Sequence, residues 1–173
     1  MTYLWLILLI VGLIFGLVVF RGAPYVPSRK IYIKQALTKL YPLNDKDTLV
    51  DIGSGDGIVL REAARTGAKA IGYEINPILV FISRFISRKN KLIEVRLADF
   101  WLSHLPKETT AIYVFSVTRD MEKILKWVQN ETNQLGTTIY LITYGSGIKD
   151  RKSIKNVGAY NLYIFYPLQL GKA

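Results

Sequence analysis

Leu49-Val50-Asp51-Ile52-Gly53-Ser54-Gly55-Asp56-Gly57 decides the fold. Thr48–Ile52 is an apolar run of strand length, and three glycines follow at once, so a buried strand ends in a tight turn that carries Asp51 to its carboxyl end. A helical pattern then runs through Ala64 and stops at Gly67. Lys69–Glu74 repeats the strand, and Asn76 caps a second helix with Pro77 at its first position. Ile93–Leu97 and residues 111–116 are further strands. Thr118 opens a helix whose Met121, Ile124, Leu125 and Val128 face inward, and residues 137–143 form a fifth strand. After a polar, basic stretch over 145–158, residues 160–166 make a last, aromatic strand. Strands alternating with helices predict an α/β, doubly wound, mainly parallel sheet covered on both faces.

Upstream, Ser28 is positioned to cap a helix reaching about Tyr41, with Ile33, Leu37, Leu40 and Tyr41 on one face. Tyr3 to Phe20 is uncharged and strongly apolar, close to the minimum length of a membrane-spanning helix. Arg21, Arg29, Lys30, Lys34 and Lys39 follow it, and no acid precedes Asp45, so the positive-inside rule puts the downstream domain in the cytoplasm. The expected organisation is a single-pass anchor over 3–20, a linker and pre-domain helix over 21–47, and one domain over 48–173. The 173 residues are half hydrophobic and 21% charged, which excludes a disordered chain. Cysteine is absent, which excludes disulfide scaffolds, zinc–thiolate sites and thiol catalysis. The net charge of +10 favours anionic surroundings.

The glycine turn fits few ligands. A dinucleotide fingerprint needs a third glycine where Ile58 stands, and a phosphate loop needs Gly-Lys-Ser/Thr, which is missing. Asp51 and Asp56 would repel a pyrophosphate. Glu74, ending the second strand, is placed to accept hydrogen bonds from ribose hydroxyls, and Asp99, after the third, to meet an adenine amino group. Acids gathered at one edge of a basic protein call for a cationic ligand carrying ribose and adenine. S-adenosyl-L-methionine, with a sulfonium, an ammonium and one carboxylate, has those properties. The expected cofactor-binding residues are Asp51, Gly53, Ser54, Gly55, Asp56, Glu74 and Asp99. No other compact acid cluster suggests a metal.

These residues, over about 48–99, resemble class I S-adenosylmethionine-dependent methyltransferases. Ala23-Pro24-Tyr25-Val26-Pro27-Ser28, the glycine turn and Gly72-Tyr73-Glu74-Ile75-Asn76-Pro77, behind an apolar span, are similar to a family of membrane-anchored protein-lysine methyltransferases. Mitochondrial members of that family modify the ATP synthase rotor-ring protein (its c subunit) and the adenine nucleotide translocase. The resemblance implies a protein substrate with an acceptor lysine, a pre-domain segment whose Tyr25 to Pro27 help close the cofactor pocket, with Tyr25 among the cofactor-binding residues, and a carboxyl-terminal antiparallel hairpin whose sixth strand is shortened here. Tyr25 and Ser116 are the acceptor-slot candidates; no catalytic residue is assigned. The sole histidine, His104, reads as a structural loop residue. The segment 115–120 lacks the Asn/Asp-Pro-Pro-Tyr/Phe loop that grips planar amide or adenine nitrogens, so nucleic acid is not the expected partner. Two alternatives stand beside lysine methylation: methylation of a lipid or other small molecule at the membrane, and an inactive cofactor-binding scaffold. Arg84, Arg88 and Lys91 form one basic stripe and Lys149, Arg151, Lys152 and Lys155 another cluster. Both are ordinary solvated features that, beside an anchor, rest against anionic lipid.

Overall fold

Every residue of β1 (Thr48–Ile52) is buried. That requires cover on both faces of the sheet and a neighbour on each side. In the computed structural model, which describes residues 3–6, 8, 9, 12, 30–115, 120–145, 147, 148 and 151–168, those neighbours are β2 (Lys69–Glu74) and β4 (Ala111–Phe115), both parallel to β1. The sheet has seven strands in the order β3-β2-β1-β4-β5-β7-β6. β3 is Ile93–Leu97 and β5 is Ile139–Tyr144. The antiparallel pair is β6 (Lys155–Val157) and β7 (Tyr160–Phe165), with β7 inserted beside β5. The topology reverses between β1 and β4, where ligands of open α/β sheets bind.

Alternation along the strands sorts the core into two layers. Leu49, Ala70, Val95, Tyr113, Ile142 and Leu162 face one layer. It is covered by α1 (Lys30–Gln35) with the turn after it, α2 (Ile58–Ala64) and α3 (Pro77–Ser87). Val50, Ile71, Ile112, Leu141 and Tyr163 face the other, covered by α4 (Met121–Leu135) and the segment around Leu105. The pre-domain helix is thus embedded in the core, with Ile33, Ala36, Leu37 and Leu40 all essentially inaccessible.

That helix departs from the expected regular α-helix. After Gln35 it widens into a π-helical turn, Ala36–Leu40, closed by the Tyr41 amide on the Ala36 carbonyl at 3.0 Å. The wider turn buries Ala36, Leu37 and Leu40 together and sets the Tyr41 ring 4.7 Å from that of Tyr140. The basic stretch read as connecting chain contains the three-residue β6, which meets β7 through a hairpin at Gly158-Ala159. The sixth strand is present, and short. Eleven of the 18 residues of the span expected over 3–20 fall outside the described residues; 3–6, 8, 9 and 12 are helical and exposed. Among the described residues no helix is long and apolar enough to cross a membrane.

Candidate active site

β1 and β2 deliver their acids to one edge and one face. Asp51 pairs in register with Gly72 and with Tyr113. Glu74, two residues beyond Gly72, points to the same face. The missing side chain at Gly72 lets the turn fold back over β2, for a Cβ there would lie 2.5 Å from Ser54 Oγ and 2.7 Å from Leu60 Cδ1. The Gly53 and Ser54 amides both donate to the Tyr73 carbonyl, at 2.9 and 3.0 Å, which pins the turn to β2.

Glu74 then locks the corner. Its Oε2 accepts from the Gly55 amide and its Oε1 from the Asn76 amide, each at 2.8 Å. One buried carboxylate therefore joins the glycine turn to the start of α3, where Asn76 Oδ1 caps the helix through the Ile78 amide at 3.0 Å.

Asp51 is the opposite case. Among the described residues five carboxylates are buried: Asp47, Asp51, Glu62, Glu74 and Glu131. Asp47 accepts from Tyr41, Asn44 and Thr110. Glu62 meets Arg65 and Lys30, and Glu131 meets His104 and the Leu105 amide. Asp51 is 2% exposed and no described residue donates a hydrogen bond to its carboxylate. Burial, then the charges of Glu74 and Asp56, push its pKa well above the usual carboxylate range. A buried carboxylate without a donor is held toward its neutral form until a counter-charge meets it.

The other expected residues divide. Asp56 lies close enough to raise Asp51, but its carboxylate is engaged: Oδ2 meets Arg61 Nη2 at 3.0 Å and Oδ1 accepts from the Ile58 amide. Asp56 shapes the turn and the start of α2. Gly53 is exposed, with open space where a Cβ would stand, so its backbone is accessible from the edge. Gly55 contributes the amide bound by Glu74, and Ser54 is buried with its hydroxyl unpaired. Asp99 shares the edge beyond β3, where its Oδ1 caps the short turn Phe100–Leu102 through the Trp101 amide at 3.0 Å. No described contact joins it to the other three acids. Tyr25 and Ser116 lie outside the described residues. His104 sits in a loop with Nδ1 3.0 Å from Glu131 Oε1, tying that loop to α4.

Beside the acids is a wall that motif reading missed. Phe115 ends β4, Tyr144 ends β5 and Tyr160 begins β7, all on the face of Asp51. Phe115 stacks on Tyr144 at 4.9 Å between centroids, and Tyr144 meets Tyr160 edge-on at 5.0 Å. The Tyr160 hydroxyl lies 3.4 Å from that of Tyr113, and burial raises its pKa above the ordinary phenol value. From β2 to β7 this edge therefore changes from carboxylates to aromatic rings. The available signal was an aromatic residue closing each of the strands β4 and β5.

A seven-stranded mixed sheet of this order, with acids at the carboxyl ends of β1 and β2, is a Rossmann-like methyltransferase fold. An RNA methyltransferase from Salinibacter ruber, solved in complex with S-adenosyl-L-homocysteine, shares it with a TM-score of 0.73 at 23% identity, over 86% of this chain and 98% of that one. Residues 28–164 match a family of methyltransferase domains, and the chain belongs to that family. It is 32% identical to the Xenopus laevis lysine N-methyltransferase named for the ATP synthase c subunit, over 67% of this chain and 51% of that protein, so it spans about half the length of that relative. It is also 35% identical to the ribosomal RNA small subunit methyltransferase A of Thermotoga neapolitana, over 55% of this chain and 38% of that protein.

Proposed function

We propose that this chain is an S-adenosylmethionine-dependent methyltransferase acting on a lysine of a membrane or membrane-associated protein. In this reading residues 3–20 anchor it in the bilayer and the domain faces the cytoplasm. The observation that carries the proposal is Asp51, the one buried described carboxylate without a donor, set beside Glu74 under an open glycine turn. Desolvated negative charge of this kind selects a cationic ligand. Asp51 would take the ammonium end of S-adenosylmethionine, Glu74 the ribose hydroxyls through its remaining lone pairs, and Asp99 the adenine amino group. When bound, the cofactor supplies a methyl group already activated on its sulfonium. The protein's task is then positioning and exclusion of water.

The aromatic wall suits an amine acceptor. Phe115 and Tyr144, backed by the buried Tyr160, desolvate an incoming lysine, which lowers its pKa and favours the neutral, nucleophilic form. Their ring faces also attract the methylated ammonium that results. Protein lysine is the target named for the Xenopus laevis relative. The RNA reading, supported by the names of the other two similar proteins and by the net charge of +10, has to act without an Asn/Asp-Pro-Pro-Tyr/Phe loop after β4.

One experiment separates these readings. The full chain is incubated with native membranes and methyl-labelled S-adenosylmethionine, and label is followed into organic extract, RNA and protein. Methyllysine in the protein hydrolysate is expected. Label confined to lipid or RNA, or cofactor binding without any transfer, overturns the assignment. A second expectation concerns the wall: Tyr144→Ala lowers kcat/KM for the protein acceptor by about tenfold, the equivalent of one lost aromatic contact. Titration calorimetry should find cofactor affinity unchanged, because Tyr144 stands across the sheet from β2.

A further inference from the structure

α3 is amphipathic in the reverse sense. Its inward residues are small, with Val80 3%, Ser83 0% and Ser87 7% exposed, whereas Phe81 is 70%, Ile82 37%, Phe85 57% and Ile86 50% exposed. Close packing explains the inward side, since a Cβ on Gly57, itself at φ +78°, would lie 2.1 Å from Ser83 Oγ. It does not explain four large apolar side chains on the outside, where water alone favours Lys or Glu.

The rim of this patch is charged in one sign. From residue 75 to residue 93 there is no acid, and Arg84, Arg88, Lys89 and Lys91 are all basic. Arg84 is committed to the fold, because its Nε and Nη2 both donate to the Val95 carbonyl, at 2.9 and 2.8 Å. Its side chain nevertheless stays exposed and keeps its charge at the rim. Arg88 lies with its guanidinium 4.3 Å from the Phe85 ring centroid, and Lys89 and Lys91 are exposed. Phe81 and Phe85 are stacked along the helix.

We propose that α3 is an interfacial helix that lies in the plane of an anionic bilayer surface. Phe81, Ile82, Phe85 and Ile86 enter the acyl boundary, and Arg88, Lys89 and Lys91 sit among the head groups. Charge decides the occupant. A second copy packed face to face would bring two acid-free cationic rims together, whereas anionic head groups surround the rim from every direction. The helix starts at Asn76, whose amide is held by Glu74, so docking α3 also fixes the orientation of the acidic edge to the membrane. This inference rests on the membrane location in the proposed function and is independent of methyl transfer.

The test uses the absence of cysteine. Full-length Phe85→Cys and, as control, Gln134→Cys on the exposed face of α4 are spin-labelled and reconstituted in phosphatidylcholine vesicles with or without phosphatidylglycerol. Collision with a water-soluble nickel chelate is then measured. With phosphatidylglycerol present, access at position 85 is expected to fall at least about fivefold below that at position 134. Adding Arg88→Glu and Lys91→Glu should return the label to water, and unchanged circular dichroism shows that the fold is kept. Equal access at both positions in a chain that remains membrane-bound overturns the inference while leaving the methyltransferase reading intact. Dipolar broadening between labels at position 85, insensitive to lipid charge, means that a second copy covers the face and overturns it as well.

Discussion

Asp51→Asn is expected to make the ligand-free protein more stable while weakening S-adenosylmethionine binding by more than about tenfold. Asp51 is buried, has no described donor, and faces Glu74 and Asp56. Its folded pKa lies above the unfolded value, so the folded state holds the proton more tightly. The penalty is absent below the unfolded pKa of about 3.9 and grows as pH rises toward the folded pKa. Above that it is constant. Neutral asparagine removes the penalty, although its amide also lacks partners, so the gain is modest. About 1 kcal/mol, or ~2–4 °C in Tm at neutral pH, is the expected size, vanishing near pH 4. In the native protein, cofactor affinity should rise with pH up to the pKa of free Asp51, with proton release on binding. Asparagine should flatten that profile. Thermal melts across pH and calorimetry in buffers of different ionisation enthalpy measure both effects. Unchanged affinity together with unchanged Tm would remove Asp51 from the site.

Such a position is only half visible in a sequence. Asp51 at the end of an apolar run, before three glycines, is plainly an edge residue. That it lacks a donor while Asp47, four residues earlier, has several is a property of tertiary neighbours such as Thr110. The strands β1, β2 and β3 are legible to the residue because β1 and the centre of β2 are compact apolar runs, β3 alternates Ile93, Val95 and Leu97 with Glu94 and Arg96, and a glycine, asparagine or aspartate stands close to each end. β5 begins two residues later than its pattern suggests, at Ile139. β6 is hidden because an edge strand of Lys155, Asn156 and Val157 is largely exposed and carries no alternation. The π-helical turn is hidden because its period follows from what Leu37, Leu40 and Tyr41 pack against.

The site follows the same division. Acids next to a glycine turn stand out locally. Phe115, Tyr144 and Tyr160 are separated in sequence and meet only because β7 inserts antiparallel beside β5. Asp56 is expected at the ligand from its loop position, and in the fold its carboxylate is paired with Arg61, five residues on. Charge gathered at one edge is therefore legible in sequence, whereas which of those carboxylates are already hydrogen-bonded within the fold is a property of the tertiary structure.

Glu74→Ala is the mirror image of Asp51→Asn. Glu74 accepts two buried backbone amides, from Gly55 and Asn76, and alanine leaves both without a partner. At about 1–3 kcal/mol for each orphaned donor, the loss is ~2–6 kcal/mol, equivalent to a fall in Tm of roughly 5–20 °C. Glu74→Gln keeps one acceptor oxygen but turns an NH2 toward the other amide, so it should fall between the native protein and alanine. Cofactor binding is expected to drop by more than about tenfold in Glu74→Ala, since the glycine turn loses its tie to α3 and the ribose loses its acceptor. Removing the Glu74 charge also lowers the pKa of Asp51, so the binding that remains should persist to lower pH. The two substitutions thus act with the same sign on binding and with opposite signs on ligand-free stability, measurable by calorimetry and by denaturant melts of one set of proteins. A generic acidic patch at the surface predicts no such split. If both variants moved stability in the same direction, the division of this edge into one satisfied and one unsatisfied carboxylate would be wrong.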